Sequence, residues 1–185
     1  MHDARVRLNS ILSPADLPKA ELDAARLDGE LFSVDGCFAP IDEPDRAALR
    51  AGSLAARFSP RLIAEQRSAA WVWGVMDRPP HTHQLCADLD ARVRPTDLTG
   101  IEVREVVIDE ADLLTVGDFR ITSVVRTVVD LARFSPTFGS EEIGIVRGLT
   151  EMGGHSVSDY VTQMERRRNL PGKRRAIERL SVALS

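Results

Sequence analysis

Asp35-Gly36 stands between two short runs of strand-prone residues, Leu31 to Val34 and Cys37 to Pro40. The pair constrains the chain strongly. A type I′ turn needs positive φ at both central residues, which Asp-Gly tolerates at low cost, so the two runs fold back on each other as a hairpin. Upstream, Ser13-Pro14 reads as a cap followed by proline at the first helical position. A second helix over about Lys19 to Asp28 is closed by Gly29, with Leu22, Ala25 and Gly29 facing inward. Helix, turn, helix and hairpin in that order are the parts of a winged helix, whose second helix enters a DNA major groove. The same layout also serves as a packing unit with no DNA role.

After the proline-bearing break at Ile41 to Asp45, Arg46 to Arg57 reads as an Ala-rich helix. A boundary near residue 52 would separate a winged helix-turn-helix module, 1–52, from a mixed α/β domain, 53–185. Ser59-Pro60 starts a further helix through Leu62, Ile63, Ala69, Ala70 and Trp73 to Gly74. Strand patterns follow at His83 to Leu85, Ile101 to Ile108 and Phe119 to Ile121. The last third returns to helices. Thr122 or Ser123 caps one that buries Val125, Val128, Val129 and Ala132; Ser140 caps another ending at Gly153-Gly154; Ser156 to Asp159 forms a capping box. The final helix follows Pro171-Gly172 and puts Ile177, Leu180 and Leu184 on one side. The expected class is α+β, a winged module followed by a small sheet and C-terminal helices.

No stretch approaches the roughly 18 apolar residues that cross a bilayer, so no membrane association is expected. The opening residues lack a secretory pattern, and only Cys37 and Cys86 are present, which points to reduced thiols and a cytoplasmic protein. The net charge of -4 is unevenly spread. Residues 166–179 hold seven basic residues against Glu178 alone, whereas residues 1–50 hold six basic residues against ten acids. Phosphate neutralisation supplies most non-specific DNA affinity, so an acidic module should bind weakly without help from a homodimer or the basic tail.

Candidate chemistry is sparse. His81 and His83 with Cys86, Asp88 and Asp90 are metal-ligand types at short spacing, but no second group has matching zinc spacing, and an exposed His pair is the expectation. Asp109, Glu110 and Asp112 read as turn acids. No phosphate-cradling loop or nucleophile elbow occurs, so neither an enzyme nor a cofactor is expected. Trp71 and Trp73, two apart on a helix, cannot both face inward.

Two stretches are more specific than their periodicity: Ser68 to Gly74, SAAWVWG, and Ile121 to Arg133, ITSVVRTVVDLAR. Both resemble the AbiEi family of bacterial antitoxins, and the likeness extends over nearly the whole chain. The second stretch carries it best, through Thr122, Arg126, Thr127, Asp130, Leu131 and Ala132. The resemblance implies a non-enzymatic protein that represses its own operon through the winged helix. It also implies a C-terminal domain that counters a nucleotidyltransferase-like toxin without a stable complex. On that basis Arg5, Arg7, Lys19 and Arg26 are the expected DNA contacts. Arg126, Arg133, Arg166, Arg167, Arg174 and Arg175 are the expected antitoxin surface. Arg126 and Asp130, four apart on one helix face, can pair, an interaction worth about 0.2–0.5 kcal/mol when exposed. The alternative is a protein-interaction module using the hairpin face around Phe32, Cys37 and Phe38.

Overall fold

The computed structural model describes residues 10–91, 99–167 and 169–185. Its order is α1 (Lys19–Leu27), β1 (Leu31–Val34), β2 (Cys37–Pro40), α2 (Ala47–Arg57), β3 (Ile63–Ala64), α3 (Gln66–Val72), β4 (His83–Asp88), β5 (Ile101–Val106), β6 (Leu113–Val116), β7 (Phe119–Thr122), α4 (Val124–Phe134), α5 (Ser140–Gly153), α6 (Val157–Glu165) and α7 (Lys173–Ala183). The class is α+β, as expected. No helix among the described residues is long and apolar enough to cross a membrane.

The Asp35-Gly36 turn joins β1 and β2 with Val34 opposite Cys37, and both turn residues have positive φ, 47° and 76°. Leu12 pairs with Phe38 through two main-chain hydrogen bonds of 2.8 Å, laying a third chain segment beside β2. The helix expected from Ser13-Pro14 is absent. Asp16 Oδ2 instead accepts from both the amide and the hydroxyl of Ser13, at 2.8 Å each, and closes a single turn before α1. A side chain that satisfies the cap within one turn competes with helix propagation. The module is therefore strand, turn, helix and hairpin, with Leu12, Leu22, Leu31 and Phe38 as its small core.

Five strands form a mixed sheet in the order β5-β4-β3-β7-β6. The helix expected from Ser59 to Gly74 is corrected: Ile63 and Ala64 form the central strand, antiparallel to β4 and parallel to β7. Only Gln66 to Val72 is helical. Both strand residues are fully buried, and Gln66 turns the chain with φ 48°. β6, an edge strand not expected from the sequence, hairpins onto β7 through Gly117 and Asp118.

The expected division at residue 52 passes through α2. Leu49, Ala51 and Leu54 of this helix join Val34 and Ala39 of the hairpin to Leu62, Ala64, Leu85, Phe119 and Ile121 of the sheet in one apolar cluster. A second cluster joins Val128, Val129, Leu131 and Ala132 of α4 to Val146 and Leu149 of α5, Tyr160 and Met164 of α6, and Leu180 of α7. Each fully buried Val or Leu contributes about 1.5–3 kcal/mol, so α4 is the axis of the helical layer. The helix ends follow the expected chemistry except at the start of α5, where Gly139 and not Ser140 is the N-cap and Glu142 reaches back to the Gly139 amide at 3.0 Å. Ser123 Oγ accepts from the Arg126 amide, the αL residue Gly154 ends α5, and Asp159 reaches back to the Ser156 amide at 2.7 Å.

Candidate functional site

α1 presents its charged side chains to solvent. Lys19 is exposed and pairs with Asp23 at 2.5 Å, and Arg26 is exposed near the other end of the helix. Arg5 and Arg7 lie outside the described residues. The helix thus offers two cations on a surface that also carries Glu21 and Asp23.

The hairpin tip is fastened to the body of the protein. Asp35 Oδ2 accepts from Arg57 Nη1 of α2 at 2.6 Å and meets His83 Nε2 of β4 at 3.0 Å. Arg57 Nη1 also donates to the Asp35 carbonyl at 3.1 Å. On its other side His83 Nδ1 lies 2.9 Å from Ser68 Oγ, which accepts from the Gln84 amide. Phe58 and Trp71 flank the ring at 5.6 and 6.1 Å. This order of Ser, His and Asp is reminiscent of a hydrolase relay, but Ser68 is fully buried and its hydroxyl is engaged with His83 and the Gln84 amide. The expectation of an exposed His pair is corrected: His81 is exposed, while His83 is 2% exposed and spent on Ser68 and Asp35. The hairpin sequence offered Asp35 only as a turn residue.

Around α4 the structure assembles a buried ion network. Arg126 bridges Asp130 and Asp112, with Nε and Nη1 each 2.7 Å from a carboxylate oxygen. Asp130 also accepts from Arg133 at 3.0 Å, and Arg104 lies 3.7 Å from it while holding Glu65 in a two-pronged contact at 2.7 and 2.5 Å. Asp112 takes further contacts from Gln163 at 2.5 Å and Arg167 at 3.3 Å, and Arg167 reaches Asp109 at 2.8 Å. Burial works against the charge of Arg126, and Asp130 and Asp112 more than offset it, so its pKa lies above the ordinary guanidinium value. Burial pulls Arg133 the other way, with Asp130 opposing it only in part.

Several expectations change here. Arg126 and Asp130 do pair, but buried and in a network, so the energy of an exposed helix pair does not apply. Arg126 and Arg133, 4% and 5% exposed, cannot form a contact surface as they stand. Asp112 is buried and is no simple turn acid. The hairpin face around Phe32, Cys37 and Phe38 is likewise withdrawn: Cys37 and Phe38 are buried and Phe32 is half-buried. Burial pushes the Cys37 thiol up to about 11.

The remaining arginines divide by role. Arg166 is exposed, Arg174 is 95% exposed beside Glu178, and Arg167 belongs to the network. Arg175 donates to the Arg133 carbonyl, and Arg179 donates to the carbonyls of Ala132 and Ser135 at 3.1 and 2.9 Å. These guanidiniums satisfy the open C-terminal end of α4 and oppose its dipole. Trp71 is buried, and the half-buried Trp73 donates its indole N–H to the Thr122 carbonyl at 3.1 Å.

No family model matches the chain, and no curated protein matches it. Among solved structures, the RV2827C protein from Mycobacterium tuberculosis matches with a TM-score of 0.49 at 19% identity, covering 95% of this chain and 71% of that one.

Proposed function

We propose that the chain is an AbiEi-like antitoxin and transcriptional regulator of the cytoplasm. It contacts its own operator through the N-terminal module and counters a nucleotidyltransferase-like toxin without a stable complex. The observation that carries this reading is α1, placed between the Leu12 segment and the hairpin, with Lys19 and Arg26 exposed. In a helix-turn-helix the helix nearer the hairpin would read the groove; α1 holds that position, although the segment ahead of it is a single turn and not a helix. The hairpin tip, tied to Arg57 and His83 and carrying no basic residue, is left out of phosphate contact, so α1 supplies the contacts. Arg166, Arg174 and Arg175 are the exposed members of the expected antitoxin surface, and Arg126 and Arg133 act by holding α4 in place.

A second reading, a protein-contact module, draws on the carboxylates of this module. Glu21, Asp28, Glu30 and Asp42 carry no ion pair among the described residues. Fluorescence anisotropy with DNA from upstream of the gene, against scrambled DNA and across a salt series, separates the two. Operator binding predicts specific, salt-sensitive association that weakens in Lys19→Ala/Arg26→Ala. Equal binding of scrambled DNA, or none at low salt, would sink the operator reading and leave protein contact.

A further inference from the structure

Two exposed apolar spots lie in opposite electrostatic settings. On the N-terminal module, Leu27 at the end of α1 is 77% exposed and Ile41, just past β2, is 64% exposed. The Ile41 amide donates to the Glu30 carbonyl at 2.9 Å, which holds these two segments side by side. Asp28, Glu30 and Asp42 adjoin them, exposed and without an ion pair among the described residues, and Arg26 is the neighbouring cation.

On α7, Val182 is 64% exposed. Arg147 of α5 donates to the Ala183 carbonyl at 2.6 Å, next along the chain from Val182. Arg179 is spent on the carbonyls of Ala132 and Ser135, and Arg175 on that of Arg133. Main-chain oxygens take one or two hydrogen bonds from each of these three guanidiniums, none has a salt bridge among the described residues, and Glu142 acts on Arg179 only at longer range.

We infer that a second copy of this chain docks its Val182 face, with Arg147, Arg175 and Arg179, on the Leu27 and Ile41 surface. Apolar side chains meet at the centre, and each copy's unpaired carboxylates meet the other's unpaired guanidiniums. Like-on-like pairing would set acid against acid, so the contact joins two different surfaces. A stable interface buries roughly 1,000 Å² or more. A two-fold arrangement makes the contact twice and closes the assembly as a dimer. The inference rests on these surfaces and not on operator binding, so a negative DNA result leaves it standing.

Size-exclusion chromatography with light scattering on the full chain tests it, over a dilution series at low and high salt. The expected mass at low salt is twice the chain's 20.4 kDa, falling to once that value on dilution or as salt rises. Leu27→Asp, at a solvent-facing position, should give the single-chain mass with an unchanged melting curve. Asp28→Lys/Glu30→Lys and Arg147→Glu/Arg175→Glu should each be monomeric alone, and an equimolar mixture should regain the double mass because both contacts become complementary again. A monomeric wild-type chain at low salt and high concentration overturns the inference. So does a Leu27→Asp variant that associates like the wild type, or a mixture of the two folded reversed variants that stays monomeric.

Discussion

Asp35 Oδ2, at the tip of a surface hairpin, lies 3.0 Å from Nε2 of His83, a residue 48 positions later and buried at the start of β4. Because Arg57 of α2 meets the same oxygen at 2.6 Å, one carboxylate joins hairpin, helix and sheet. Removing it should therefore act well beyond the turn.

Asp35→Ala strands a buried imidazole N–H and deprives Arg57 of its carboxylate partner, leaving it the main-chain carbonyl. The unsatisfied donor costs about 1–3 kcal/mol, and the positive φ of this position adds strain for Ala. Asp35→Asn keeps an acceptor for His83 and tolerates the turn, so its loss should be smaller. Urea midpoints order the two, and a cycle with His83→Ala should show coupling. Additive effects of Asp35→Ala and His83→Ala would show that the contact carries no energy of its own.

Arg126 and its carboxylates should respond more severely. Arg126→Met leaves Asp112 and Asp130 buried without their bridging cation, and breaking a buried pair in this way costs about 3–5 kcal/mol. Arg133, Arg167 and Gln163 still contact the two acids, which places the loss toward the lower end of that range. Arg126→Lys should recover only part, since one ammonium cannot reproduce the two-armed bridge. Denaturant unfolding monitored by circular dichroism measures both. A loss below that of an ordinary surface substitution would mean the network is not formed in solution.

Legibility from sequence followed the range of the interactions. Asp35-Gly36, the Ser123 cap, Gly153-Gly154 and the Ser156 to Asp159 box are local chemistry, and each appears in the fold where the sequence puts it. β3 was not legible: two residues of an apolar run become a strand only because β4 and β7 flank them. The same holds for the network, where Asp112 reaches Arg126 across 14 positions and Glu65 reaches Arg104 across 39. Arg126 and Asp130 were visible as neighbours on a helix. Their burial depends on α6 and the loop before β6, which periodicity on α4 does not reveal.

Acid should weaken the fold in a defined window. Asp45 beside Arg50, Glu141 beside Arg67 and Asp109 beside Arg167 all sit below the ordinary carboxyl range of about 4. The amides of Ser13 and Ser156 lower Asp16 and Asp159 in the same direction. A depressed folded pKa gives stability that is present above the unfolded value and lost as pH falls through the folded one. Melting temperature should thus hold near neutrality and fall progressively below about pH 4. Asp45→Asn should melt lower at neutral pH and show a shallower acid decline, because one of the titrating contacts is gone. A parallel decline in variant and wild type would remove Asp45 from the account.

Two glycines of α5, one helical turn apart, should answer the same substitution differently. At Gly144 an added Cβ meets nothing within 4 Å, so Gly144→Ala should gain up to about 1 kcal/mol from reduced unfolded-chain entropy and better helix propensity. At Gly148 the Cβ would stand 2.3 Å from Cγ1 of Val75, while the Val75 Cβ would be 3.5 Å away. The valine must leave its rotamer or the helix must move, and overpacking of this kind costs about 1–3 kcal/mol, more than the propensity gain. Gly148→Ala should therefore destabilise, and Gly148→Ala/Val75→Ala should recover part of the loss by removing the obstructing methyl. Thermal melts of the three variants decide the matter. A stabilising Gly148→Ala would mean that Val75 turns aside at no cost and that α5 is not held close to the chain after α3.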